Sequence, residues 1–301
     1  NMARTALHSR RKEAIAGYLF VLPVLLGFMI WVLFPMIATV FVSLTRWPLS
    51  GQPEYIGAAQ YRNLFTTDPF FYDSVTATVY FAVVSTMARI VVAFFVAVLL
   101  NQDIKGRAVF RTIFYLPSIV PLFASSMIWL WCFQPDFGLF NAIVKGVGLP
   151  PLRWIYGPET VIPSFVLMDV WAAGPTIIIF LAGLQGVPRE LLDAVEVDGG
   201  RWRHRMTAVT LPHMSPYILF NSVIGLITAL QVFTQGFIMT RGGPNNRSLF
   251  LVILIYREAF QNGRFGAASA IAIVLFGIVA LLTALVFATS RRYVFYYGAV
   301  R

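Results

Sequence analysis

Six apolar runs, each long enough to cross a bilayer, govern what this 301-residue chain can become. A helix needs about 20 apolar residues to span the hydrocarbon core. The runs lie at about 14–44, 74–100, 112–133, 161–185, 215–239 and 265–289. Each is expected to be helical, because lipid offers no partner to unpaired backbone N–H and C=O groups. The first run is uncharged and longer than one crossing needs, so it should tilt, kink near Pro23 or Pro35, or project outward. The chain is 58% hydrophobic and only 12% charged, against about 25% charged in soluble domains. The expected fold class is therefore an all-α membrane protein with six transmembrane helices.

Lysine and arginine set the expected orientation. One side collects Arg4, Arg10, Arg11 and Lys12, then Lys105, Arg107 and Arg111, then Arg189, Arg201, Arg203 and Arg205, and last Arg291, Arg292 and Arg301. It holds 14 basic residues against 8 on the other side, which makes it the expected cytoplasmic side, with both termini. The chain then divides into a cytoplasmic N-terminus at 1–13, one transmembrane domain at 14–290 and a cytoplasmic C-terminus at 291–301. The outer loops carry Trp47, Tyr61, Trp154, Tyr156 and Tyr256, as interfacial belts do. The net charge of +10 follows from this rule. The implied partner surface is lipid, not nucleic acid. The first run is far longer than the roughly 7–15 apolar residues of a cleaved signal peptide. Cys132 is the single cysteine, which excludes an internal disulfide or a multi-cysteine metal site. Segment 249–260, LFLVILIYREAF, is too short and too interrupted to span, so an interfacial or re-entrant helix on the outer side is expected.

One stretch breaks the apolar rule. Residues 190–216 read ELLDAVEVDGGRWRHRMTAVTLPHMSP, with Glu190, Asp193, Glu196 and Asp198 ahead of Arg201, Arg203 and Arg205. Pro188 suits the first turn of a helix, and acids favour its positive end. Leu191, Ala194 and Val195 recur at i, i+3 and i+4 and give one apolar face. Gly199 and Gly200 stop the helix, since glycine takes positive φ freely. The pattern predicts a short helix, a sharp turn and a second short helix hung between two spans. By itself it describes either an ordinary cytoplasmic loop or a docking element whose apolar face enters a partner's groove.

The spacing of this stretch resembles the permease subunits of binding-protein-dependent ABC importers. Their shared loop runs Glu-Ala-Ala, three residues, Gly, nine residues, Ile, one residue, Leu-Pro. Here it runs Asp193-Ala194-Val195, three residues, Gly199, nine residues, Val209, Thr210, Leu211-Pro212. Asp193, Val195 and Val209 depart from the pattern but keep its charge or apolar type. GLQGVPREL at 183–191, FYLPSIVP at 114–121, GGP at 242–244 and YREAF at 256–260 are similar to the carbohydrate branch, above all to the first of the two permeases in maltose, lactose and glycerol-phosphate importers. The resemblance implies that 187–213 is a coupling loop seated in a cleft of a separate ATPase, through Glu190, Asp193, Ala194, Val195, Asp198, Gly199, Leu211 and Pro212. It implies a second, similar permease forming a heterodimer, two ATP-binding subunits, an extracellular solute-binding protein and a bacterial inner membrane. ATP and Mg would be used by the partner ATPases. This chain has no G-x-x-x-x-G-K-[ST] loop, so no catalysis, bound cofactor or metal is expected on it. The implied activity is alternating-access import of a sugar or oligosaccharide.

Polar residues inside spans are costly and are candidates for the solute path. Asn221, Thr228, Gln231 and Gln235 fall within about a quarter-turn of one another at 100° per residue, with Gly225 beside them. Span three presents Ser118, Leu122, Ser125, Ser126 and Trp129, and span four presents Asp169, Ala173 and Thr176. Amides, hydroxyls and an aromatic face suit a sugar. The resemblance to the maltose-type permease implies sugar-contacting positions at Ser118, Leu122, Gly225, Ala229 and Val232, several of them apolar here. The competing reading is packing. Serine and threonine bond within their own helix, and amides join neighbouring helices at roughly 0.6–2 kcal/mol each. Arg89 pairs with a carboxylate or carbonyl, or snorkels; Asp169 is either its partner or a pathway residue.

Rival classes fare worse. A channel needs a charge ring or carbonyl filter, and the spans are nearly uncharged. An intramembrane enzyme needs a catalytic constellation, but His8, His204 and His213 lie outside the spans or at their edge. Glycerol phosphate, the alternative cargo, would favour cationic pathway residues, and Arg89 is the only cation within a span.

Overall fold

The computed structural model describes residues 2–48, 51–103 and 105–295, the side chains of 2–12 and 14 excepted. The rest of the C-terminal segment, with Arg301, lies outside the described residues, as do the side chains of Arg4, Arg10, Arg11 and Lys12. The described residues are mostly helical. The first run is α1 (Met2–Phe28), a π-helical turn at Met29–Leu33 and α2 (Phe34–Ser43). It continues through a two-residue antiparallel ladder, β1 (Thr45–Arg46) with β2 (Glu54–Tyr55), and a short α3 (Ala59–Thr66). The long α4 (Phe71–Asn101) is unbroken. Then come α5 (Arg107–Tyr115), α6 (Leu122–Cys132), α7 (Leu139–Gly146), α8 (Val161–Trp171) and α9 (Gly174–Gln185). The charged stretch forms α10 (Arg189–Val197) and α11 (Trp202–His204), and the rest is α12 (Leu211–Leu230), α13 (Thr234–Met239), α14 (Leu251–Tyr256) and α15 (Phe265–Ser290).

Four helices are long and apolar enough to cross a membrane, or up to six if each bent pair counts as one span. Three of the expected single helices are in fact pairs. Run 112–133 bends by 98° between Arg107–Ile119 and Leu122–Cys132. Val120 precedes a proline, whose ring pushes it to an extended ψ of 126° and ends the helix. Run 161–185 bends by 52° between α8 and α9, where Pro175 cannot donate to the carbonyl four residues back. Run 215–239 breaks between Leu230 and Thr234. Prolines also mark wider turns. The π turn before Pro35, and another at Arg205–Thr210 before Pro212, each relieve the clash of a proline ring with the preceding turn.

The central column is α4, against which α8, α9 and α12 pack. Its buried side is a series of small residues, among them Ser74, Ala77, Ala82, Ala93 and Ala97, which lets neighbouring backbones approach closely. One apolar core joins α4, α8, α12, α14 and α15, and a second joins α4, α9 and α12. In segment 249–260, expected as an interfacial or re-entrant helix, the stretch 249–254 is largely buried within the protein. Leu249, Phe250 and Leu251 are fully buried, and the Leu251 N–H donates to Thr78 Oγ1 at 2.8 Å. A helix apolar on all sides belongs inside protein. The first run is the opposite case: none of its most apolar 18-residue window is buried, which leaves that surface to lipid or a partner.

Candidate functional site

The helix breaks surround one hollow. A cavity of about 470 Å³ is lined by Pro117, Ser118, Val120, Pro121, Leu122 and Ser125 from the α5–α6 bend, by Met168, Asp169, Ala172 and Pro175 around the α8–α9 break, and by Gln235 from α13. Gly174 holds the two breaks together. A Cβ there would stand 2.9 Å from the Phe114 carbonyl oxygen and 3.0 Å from Tyr115 Cα, so only glycine lets α9 start against the end of α5. Ser118 donates its hydroxyl to the Tyr115 carbonyl at 2.7 Å, which leaves its oxygen lone pairs free to accept.

Asp169 is both a cavity residue and the partner of Arg89. Arg89 Nε donates to Asp169 Oδ2 at 2.9 Å and Nη2 to Oδ1, a two-pronged pairing from α4 to α8. Ser85, one turn before Arg89, adds its hydroxyl to Oδ2. A buried charge is costly alone, and this fork satisfies it.

The other pathway candidates divide. Ser118, Leu122, Ser125, Asp169 and Gln235 meet in the cavity. Asn221 instead donates to the Tyr217 carbonyl at 2.9 Å, and Thr228 to that of Ile224 at 2.8 Å, each within its own helix. Ser126 likewise bonds Leu122. Gly225 is a contact point between α12 and α4: a Cβ there would be 3.1 Å from Thr86 Cγ2. Thr176 is buried on α9, and Gln231 is exposed where α12 ends. Trp129 turns away from the hollow, stacks on Phe140 with centroids 5.2 Å apart and meets Trp171 edge-on. The quarter-turn alignment of span five failed because α12 stops at Leu230 and α13 starts only at Thr234, so the 100° spacing does not carry from Asn221 to Gln235.

The charged stretch has the expected helix–turn–helix form. Pro188 precedes α10 as its cap, with ψ 127°, rather than sitting in the first turn. Gly199 has φ +75°. Its N–H donates to the Glu196 carbonyl and that of Gly200 to Val195, the paired bonds of a Schellman stop. Gly200 is glycine for a different reason: a Cβ would fall 2.5 Å from Val195 Cγ1 and 2.7 Å from the Val195 carbonyl oxygen. Arg205 closes the element with an ion pair to Glu196 at 3.0 Å. The apolar face is split. Leu191 and Val195 are half-buried, whereas Ala194, Val197 and Trp202 are exposed, between the acids Glu190 and Asp193.

Residues 89–294 match the family described as "Binding-protein-dependent transport system inner membrane component". The chain belongs to that family. It is 36% identical over 292 residues to the probable ABC transporter permease protein YesP of Bacillus subtilis, covering 96% of this chain and 94% of that protein. It is 32% identical over 275 residues to the trehalose/maltose transport system permease protein MalF of Thermococcus litoralis, covering 90% and 92%. The fold is that of a chain of the bacterial alginate ABC transporter, crystallised with its alginate pentasaccharide-bound periplasmic protein, with TM-score 0.82, 23% identity and coverage of 94% and 96%. This permease is thus a multi-pass membrane transport subunit rather than an enzyme.

Sequence reasoning missed Ser85, which bonds the cavity's carboxylate from α4, and the lining residues Met168 and Ala172 of the permease cavity. Ser85 gave no signal, because a serine one turn from Arg89 looks like any helix serine. Met168 and Ala172 are apolar and anonymous. The prolines of FYLPSIVP did carry a signal, since two prolines four residues apart cannot sit in an unbroken helix.

Proposed function

We propose that this permease carries a sugar or oligosaccharide across a bacterial inner membrane by alternating access. The observation that carries the reading is the cavity at the α5–α6 and α8–α9 breaks. Its polar groups are two hydroxyls, an amide and one carboxylate, the hydrogen-bonding set a polyol needs. The trehalose/maltose relative supports the same cargo class. Arg89, already held by Asp169, is not free to receive a phosphate, which disfavours glycerol phosphate.

On this reading an extracellular solute-binding protein delivers the sugar, and a second, homologous permease completes the path. With six spans, counting each bent pair as one, both termini and the stretch 187–213 would share the more basic side, which the charge rule makes cytoplasmic. There Ala194, Val197 and Trp202 offer an apolar surface, rimmed by Glu190 and Asp193, to a groove on one of two ATPase subunits. Those subunits, not this chain, would use ATP and Mg.

The test is sugar uptake by vesicles holding the complete transporter and its binding protein. Wild-type vesicles are expected to accumulate a labelled sugar in an ATP-dependent way. Gly199→Trp should abolish uptake while the amount of protein in the membrane stays the same. Normal uptake with normal ATPase stimulation in that variant would remove the coupling role. Uptake confined to phosphodiesters would overturn the cargo class.

A further inference from the structure

Among the described residues, Asp169 is the only charged group that lines the cavity. A carboxylate offers about four lone-pair sites. Three donors already use it: Arg89 Nε and Ser85 Oγ on Oδ2, and Arg89 Nη2 on Oδ1. Roughly one acceptor site is left. The guanidinium is committed to that carboxylate from the α4 side and does not line the hollow. Ser118 also presents lone pairs, because its own proton goes to Tyr115. The cavity therefore asks its occupant for hydroxyl donors and offers no cation to an anionic one.

Resting on the sugar-importer reading above, we infer that Asp169 is the specificity-determining residue of the cavity, accepting a hydrogen bond from a hydroxyl of a neutral sugar and repelling sugar acids. Arg89 and Ser85 are positioning residues. They orient the carboxylate, and they act on the solute only through it. A uronate brought beside Asp169 would place two negative charges together in a low-dielectric site, where repulsion is weakly screened.

The experiment uses the complete transporter with its binding protein in proteoliposomes. The probes are neutral disaccharides, trehalose and maltose among them, and the uronates made from them by oxidising one C6. Each uronate is scored by how well it competes with uptake of its parent, so the binding protein's own preference cancels between variants. Asp169→Asn exposes the Arg89 charge and should improve uronate competition relative to the neutral sugar by about tenfold or more. The double variant Arg89→Gln with Asp169→Asn removes both charges, and the ratio should rise by about threefold to tenfold. It also decides the matter if the single variant fails to insert. Arg89→Lys keeps the charge but loses the fork. Its KM for neutral sugar should rise several-fold, with kcat and the acid-to-neutral ratio nearly unmoved. A merely structural ion pair would lower both cargoes alike. An unchanged ratio in the single and double variants overturns the inference, whereas failure of the wild-type complex to take up any of the sugars ends the importer reading on which it rests.

Discussion

Between Arg189 and Pro212, each stop and turn is made by residues a few positions apart: the Gly199 and Gly200 N–H groups reach back to Glu196 and Val195, and Arg205 reaches Glu196. The cavity is assembled the other way. Its walls come from α5–α6, α8–α9 and α13, and its one charge is held by two residues of α4. The turns of the charged stretch are closed by bonds within the stretch itself. The cavity has no shape until helices of four separate spans have packed. A locally determined element suits a lever that must transmit force as a unit. A hollow made at helix breaks suits a site that must change when helices tilt.

The contrast can be broken most severely at Gly200. Gly200→Leu puts a side chain into the backbone of Val195, so uptake should be lost while the protein still reaches the membrane; full uptake would mean that the turn is not a rigid part. Next is Asp169→Ala, which strands Arg89 inside the bundle. Breaking a fully buried pair from one side costs about 3–5 kcal/mol; this pair is partly buried, so a smaller loss is expected, read as a drop in the melting temperature of the purified complex. Loss of the same size in the double variant Arg89→Gln with Asp169→Asn would show that packing, not the unpaired charge, is responsible. A smaller effect separates two glutamines. Gln235→Ala should raise the uptake KM by about fivefold to tenfold, the loss of one hydrogen bond to a solute, while Gln231→Ala, outside the cavity, should leave it unchanged. The reverse pattern would place the path elsewhere. The smallest effect is expected at Glu196→Gln. Its pair with Arg205 is well exposed on both sides, so unfolding should shift by no more than about 0.5 kcal/mol.

Legibility followed the same division. The stretch 187–213 could be read because a helix stop, a glycine with positive φ and a return to apolar sequence are short-range events. Even its error was short-range: Pro188 caps α10 from one position outside it. The path candidates were read as faces of straight helices, and that premise failed wherever a span bends. Five of them, Ser118, Leu122, Ser125, Asp169 and Gln235, still met, because they cluster near breaks. Asn221 and Thr228 did not, since on the unbroken α12 their polar groups find carbonyls one turn back. Trp129 joined an aromatic packing cluster, where a large ring buries more area than it would at the edge of a hollow.

By itself the sequence determined that the chain is helical and belongs in a membrane, and that one charged helix–turn–helix hangs between two apolar runs. Hydrophobic length, charge asymmetry and glycine spacing are properties of neighbouring residues, and they act before any helix meets another. Tertiary packing alone decided that Arg89 answers Asp169, that the stretch 249–254 is core rather than surface, and that the breaks in two spans meet Gln235 of a third across a single hollow. Those outcomes depend on which small residues let helices touch and on where prolines release a carbonyl, and such contacts bring together residues far apart in the chain.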